Sequence, residues 1–344
     1  MKRFATFLSR KNITISLRKY GVDALGAMAQ GLFASLLIGT ILSTIGEQLN
    51  IPVLIEIGNF AKSMAGPAMA VSIGYALQAT SLVLFSLLAV GAASNSLGGA
   101  GGPLAVYFIT IFATEFGKAV SKETKIDIIV TPLVTIAVGI GLAYWWAPAI
   151  GSAASWIGNL IMWSTGKQPF IMGVLVSVIV GMALTLPISS AAICAALSLT
   201  GLAGGAALAG CCAQMVGFAV ASYRENKWGG VVSQGLGTSM LQIGNIARKP
   251  IVWLAPTLAA AILGPISTCI LGMTNNAAGA GMGTSGLVGP IGCWATMSAT
   301  TDHTLLLAEI VGMYFVAPAI LSLIIHFAMK RAGWVKEGDL KLQR

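Results

Sequence analysis

Charged residues are missing from four long stretches of the chain: 63–114, 128–166, 168–223 and 250–301, of 52, 39, 56 and 52 residues. A helix crossing about 30 Å of hydrocarbon needs about 20 apolar residues. Most of these stretches are too long for one crossing, so each predicts at least one reversal. Two shorter runs, 24–45 and 304–329, have the length of single spans. Together they predict eight to ten membrane segments, some of them not full crossings. The runs are continuous and rich in Ala, Gly, Leu and Ile. Barrel strands would instead alternate over about 10 residues. Helices satisfy their backbone hydrogen bonds within one segment, as lipid demands. The expected fold class is an all-α polytopic membrane protein.

Interruptions divide the runs. The decamer 94–103 (SNSLGGAGGP) is a poor helix interior, since each Gly costs about 1 kcal/mol against Ala. A mixed-charge loop, 117–127, follows. The span 128–148 carries Tyr144, Trp145 and Trp146 near its end, the pattern of an interfacial aromatic belt. Trp156 and Trp163 are seven apart and share a helical face, which predicts an interfacial helix over 151–166. In 168–223 the break falls either at Pro187 or at 201–205. The domains expected are a basic tail (1–20), an N-terminal membrane region (21–166), a C-terminal membrane region (167–329) and a second basic tail (330–344).

Composition agrees: of 344 residues, 56% are hydrophobic and 9% charged, against roughly 25% charged in a soluble domain. Water-soluble enzymes, nucleic-acid modules and disordered chains are excluded. The net charge of +9 lies at the ends. Lys2, Arg3, Arg10, Lys11, Arg18 and Lys19 have no acid among them, and five more cations follow position 329. Basic flanks stay on the cytoplasmic side, so both termini are expected inside, with an even number of crossings. The N-terminal tail sets topology or lies on an anionic inner leaflet; nucleic acid is not an expected partner. The first apolar run exceeds the 7–15 residues of a signal-peptide core and reads as a retained span. Cys194, Cys211, Cys212, Cys269 and Cys293 all sit in apolar stretches and read as packing residues.

One heptapeptide is echoed: Gly235-Leu236-Gly237-Thr238-Ser239-Met240-Leu241 and Gly281-Met282-Gly283-Thr284-Ser285-Gly286-Leu287 both read G-x-G-T-S-x-L. No nucleophile–base pair and no Walker, Rossmann or zinc spacing occurs, so no catalytic residue, metal or cofactor is expected. Transport uses what is present. Gly-interrupted membrane segments point to midplane solute sites, and non-helical backbone at that depth must be buried or line a cavity. Both stretches are therefore expected at re-entrant hairpin tips, with Thr238, Ser239, Thr284 and Ser285 facing a ligand. Gln234, Gln242, Asn245, Asn275 and Asn276 flank them, and amides both donate and accept. Asp302, His303 and Glu309 open the last span, where ionisable groups are functional candidates. The plainer readings are amide bonds between helices and an N-cap role for Asp302.

From 187 to 292, and most clearly at the two paired motifs and Asn275-Asn276, the sequence resembles the stand-alone enzyme IIC-like membrane family of the bacterial phosphotransferase system, which includes the perfringolysin O regulator. The resemblance implies a permease of the bacterial inner membrane, a homodimer, and a solute such as a sugar or sugar derivative enclosed by a C-terminal unit with re-entrant hairpins. Phosphoryl transfer would need a separate cytoplasmic IIB-type protein. The competing readings are a membrane sensor that binds a ligand but transports little, and an ion channel.

Overall fold

A computed structural model describes residues 7–14 and 16–342. Lys2, Arg3, Phe4 and Arg344 of the basic tails lie outside the described residues. Among the described residues the chain is helical without strands. Six helical stretches among the described residues are long and apolar enough to cross a membrane: Lys19–Leu49, Ser81–Val120, Asp127–Thr165, Gly201–Ala221, Pro250–Ile270 and His303–Arg331. Pro169–Thr185 is a shorter apolar helix. The chain divides into two compact units, one of residues 1–39 and 59–153, the other of 40–58 and 154–344.

In the first unit, Ser81–Val120 is a hairpin rather than one rod. The helix Ser81–Gly98 reverses at Gly99, where φ is +51°, and Gly102–Val120 returns beside it. The Thr80 and Ser121 hydroxyls meet at 3.0 Å and close its open end. The expected break at 94–103 is thus confined to its last residues. Gly66 and Gly91 cross so closely that a Cβ on either would run into the other's carbonyl. Such contacts drive helix association in lipid, where burial alone provides no force.

Asp127–Thr165 is one helix of 39 residues, about 58 Å long at 1.5 Å per residue. The separate interfacial helix expected over 151–166 is its continuation. Pro148 does not end it, and the Ser152 hydroxyl bonds the Pro148 carbonyl at 2.9 Å. That bond is an ordinary hydroxyl-to-i−4 contact; the carbonyl that Pro148 deprives of its amide partner is that of Tyr144, one turn earlier. The helix stops at Thr165, and Gln168, held extended before Pro169, opens the next helix.

The described part of the N-terminal segment is tied into this unit. Arg10 and Lys11 share one Glu123 oxygen at 2.5 Å. Lys118, 3% exposed, holds the Asn12 carbonyl at 2.8 Å, the Leu77 carbonyl at 2.9 Å and Glu115 at 3.0 Å. Tyr20 donates to the other Glu115 oxygen at 3.0 Å.

The second unit packs Gly201–Ala221 against Pro169–Thr185 and Leu254–Pro265. Three interruptions break its helices: 186–200, 233–249 and 271–287. The first answers the question of Pro187 against 201–205: one helix ends at Thr185, the next begins at Gly201, and a short helix, Ser190–Ala196, stands between. Four of the five free cysteines are buried in this unit, whereas Cys269 is exposed.

Candidate functional site

The three interruptions of the second unit converge. Gly201 and Asn275 exchange backbone hydrogen bonds at 3.0 and 3.2 Å, joining the end of the first to the third. The Ser190 hydroxyl bonds the Gly281 carbonyl at 2.7 Å. Between the second and third, the Thr284 hydroxyl donates to the Gly235 carbonyl. The two glycine-rich heptapeptides therefore touch.

They do not share a backbone. Thr238 is extended, with φ −158° and ψ 144°, and caps the next turn by accepting from the Met240 amide at 3.1 Å. Thr284 sits at φ −84° and ψ 5°. Gly283, Gly286 and Leu287 all have positive φ, whereas no residue of the first heptapeptide does. At Gly283 the left-handed backbone comes with crowding by Met215 and Cys211, so no other residue fits.

The hydroxyls between these stretches are buried. Ser239 meets Thr185 at 2.8 Å. Thr185 in turn donates to the Gln214 carbonyl oxygen at 3.3 Å, which also accepts the Trp253 indole N–H at 2.9 Å. The Gln214 amide donates to Thr257 at 3.1 Å. Sequence reasoning missed this relay, yet a signal was present. Gln214 is the one side-chain amide in Gly201–Ala221, an apolar helix where an unpaired amide would be costly. Ser285 is 2% exposed and its hydroxyl has no partner among the described residues.

The flanking amides have other engagements. Asn275 donates to the Gly289 carbonyl at 3.2 Å, and Asn276 caps a short helix by accepting from Gly279 at 2.8 Å. Gln234, Gln242 and Asn245 form a ladder: Gln242 donates to Gln234 at 2.8 Å, and Asn245 to Gln242 at 2.7 Å. The ladder then grips the C-terminal segment. Gln242 donates to the Leu340 carbonyl and Asn245 to that of Lys341, both at 3.0 Å. Asn226 donates to the Leu340 carbonyl at 2.8 Å and accepts from Leu342 at 2.9 Å. Glu225 accepts from the Gly338 and Leu340 amides at 2.9 Å. Leu340 and Val335 enter an apolar cluster with Phe218, Ile246, Val252 and Met329. Lys249 pairs with Asp339 at 2.6 Å. Burial pushes the Asp339 carboxyl up, but Lys249 and the Lys336 amide outweigh it and hold it below the usual range.

The ionisable trio divides. Asp302 is exposed and caps His303–Val311, accepting from the Thr304 and Leu305 amides at 3.0 Å. His303 lies against Trp294, ring centres 5.2 Å apart. Glu309 is half-buried and makes no hydrogen bond or ion pair among the described residues.

A helical membrane protein with broken segments meeting inside one unit is the class these observations define. Residues 22–342 match the family described as "Phosphotransferase system, EIIC". No curated protein and no solved structure matches the chain. The chain belongs to the phosphotransferase system EIIC family and is a multi-pass membrane permease of that type.

Proposed function

We propose that the chain moves a small polar organic solute, such as a sugar or sugar derivative, held where the two glycine-rich stretches meet. The carrying observation is the Thr284–Gly235 bond beside Ser285, a buried hydroxyl with no protein partner. Leaving such a group unsatisfied costs about 1–3 kcal/mol, so a solute hydroxyl is its natural partner. Thr238 and Ser239 stand on the facing stretch. Asn275 and Asn276 shape the second stretch, and Gln234, Gln242 and Asn245 steady the first. Glu309, with Asp302 and His303 at the head of its helix, supplies the ionisable group. The interruptions act as re-entrant hairpins, and the permease works as a homodimer in the bacterial inner membrane with both termini cytoplasmic. A separate IIB-type protein supplies any phosphoryl group.

Uptake into proteoliposomes tests the site. The Thr284→Val, Ser285→Ala double variant should fold and lose uptake; wild-type uptake would overturn the assignment. Substrate class comes first from a thermal-shift screen of sugars, polyols and sugar acids, since a ligand at 100 times its Kd adds about 2.7 kcal/mol. Counterflow of the labelled hit separates transport from sensing.

A further inference from the structure

At one end of the first unit the ends of several helices gather. Lys19–Leu49 begins there, the hairpin Ser81–Val120 has its open end there, and Asp127–Thr165 starts there. The Thr80–Ser121 contact, the bond from Lys19 to the Asn12 carbonyl at 2.8 Å and the bond from the Lys122 amide to Asp127 at 2.6 Å tie them together. Where helices of this length span a bilayer, their ends lie at the headgroup level.

A cavity of about 370 Å³ opens at this level, lined by Arg10, Lys11, Asn12, Gln78, Thr80, Lys118, Ser121, Lys122 and Glu123. Every lining residue is polar or charged, and four are cations against one acid. Lys118 is the floor, its donors held by two carbonyls and Glu115. Above it, Arg10 and Lys11 converge on a single Glu123 oxygen. The Glu123 carboxyl is held below the usual range, chiefly by the hydrogen bond from Lys11 and despite some desolvation. The Lys122 ammonium makes no side-chain hydrogen bond or ion pair among the described residues. Asn12, Gln78 and Lys122 all adopt positive φ at the cavity wall. Each follows a helix end, where a left-handed residue commonly closes the last turn, so three helix C-termini meet at this wall.

We propose that this cavity binds a phosphate-bearing anion, its oxygens taken by Arg10, Lys11 and Lys122 beside the oxygen that Glu123 already places there. Excess positive charge at headgroup level attracts anionic lipid, and Arg matches phosphate oxygens with two parallel donors. The shared chemistry is the phosphate group, carried either by a lipid headgroup or free in solution. Glu123 is the built-in competitor: it neutralises part of the excess and occupies one oxygen position. The site belongs to the first unit alone and is independent of the solute site.

The test uses the full chain, with the lipid retained after detergent extraction read by native mass spectrometry. Phosphatidylglycerol should be retained over phosphatidylcholine, and titration with inorganic phosphate reads the free-anion arm. Arg10→Gln and Lys122→Gln are exposed changes that should each weaken binding about five-fold, the effect of roughly one cation at an anionic surface. Glu123→Gln should strengthen it. Lys167→Gln, an exposed cation elsewhere on the chain, should change nothing. Binding of the lipid alone names a headgroup site, and binding of inorganic phosphate alone names a free-anion site. Retention of neither ligand, equal loss in Lys167→Gln, or weaker binding in Glu123→Gln would overturn the proposal.

Discussion

The two units solve one problem with different chemistry. Each must fix a terminal segment against membrane helices. The first uses charge: Lys118 and Glu115 form a buried pair, and the ammonium reaches two backbone carbonyls. The second uses mainly neutral amides: Gln234, Gln242 and Asn245 pass hydrogen bonds from one to the next, and Gln242, Asn245 and Asn226 hold the 340–342 backbone. A buried ion pair is a brittle clamp, because losing one partner strands a charge in low dielectric. An amide ladder is softer, because each broken bond strands only a neutral dipole. The comparison predicts that failure is steep in the first unit and graded in the second.

The largest effect should come from Lys118→Met. It leaves the largely buried Glu115 carboxylate with the Tyr20 hydroxyl alone, and removing one member of a buried pair costs about 3–5 kcal/mol. The double variant Lys118→Met, Glu115→Gln should recover most of the loss, a result read by thermal unfolding in detergent through the double-mutant cycle. Additive losses would break the picture of a brittle charged clamp.

Away from its clamp, the second unit offers a buried neutral amide for the same kind of test, Gln214→Leu in the relay of Thr185, Trp253 and Thr257. It strands the Trp253 N–H and breaks the link to Thr185, which should cost about 1–3 kcal/mol. The effect should be smaller than that of Lys118→Met by the same thermal measurement. A loss as steep would show that the relay is as brittle as the ion pair.

What was legible follows the same physics. Lipid forbids unpaired backbone and unpaired charge, so the charge-free runs marked the spans, and the Gly-rich decamer marked the hairpin at Gly99. Pro148 and Gly151 looked like a helix end, but the helix runs on through both to Thr165, because proline removes one backbone bond without forcing a stop. The heptapeptide echo predicted two like tips. It found two segments that meet, at Thr284 and Gly235, but Gly283 and Leu287 take left-handed backbones that Gly237 and Leu241 do not. Identical residues were set by different neighbours, among them Met215 and Cys211. The docking of Leu340 on Asn226 and Gln242 spans about a hundred residues of sequence, and amides carry no mark of the carbonyl they will meet.

Acid should loosen the second clamp before it unfolds the unit. The Asp339 carboxyl lies below its usual range in the folded chain. A depressed carboxylate contributes stability that is present above its unfolded value, about 3.9, and lost as pH falls through the lower folded value. Amide hydrogen exchange in 336–342 should therefore accelerate as pH drops below about 4, once the intrinsic pH dependence of exchange is removed. Asp339→Asn should show fast exchange already at neutral pH, with little added by acid. Because Gln242 and Asn245 hold the same segment, exchange in 239–248 should rise with it. A segment 336–342 that loosens while 239–248 stays protected would show that the ladder does not depend on its terminal grip.

The smallest expected effect sharpens the contrast between buried and exposed charge. Asp302 is a carboxylate of the second unit, like Glu115 of the first, but it is exposed and acts as a helix cap. Asp302→Ala should cost about 1 kcal/mol, well below the loss of Lys118. Asn accepts the same backbone hydrogen bonds without the charge, so Asp302→Asn should restore stability. That pair of variants also divides the two roles considered for this residue. If uptake follows stability, falling in Ala and returning in Asn, Asp302 is only a cap. If uptake stays lost in Asp302→Asn while stability returns, the charge itself is needed, and the ionisable group of the transport cycle lies at the head of this helix rather than at Glu309 alone.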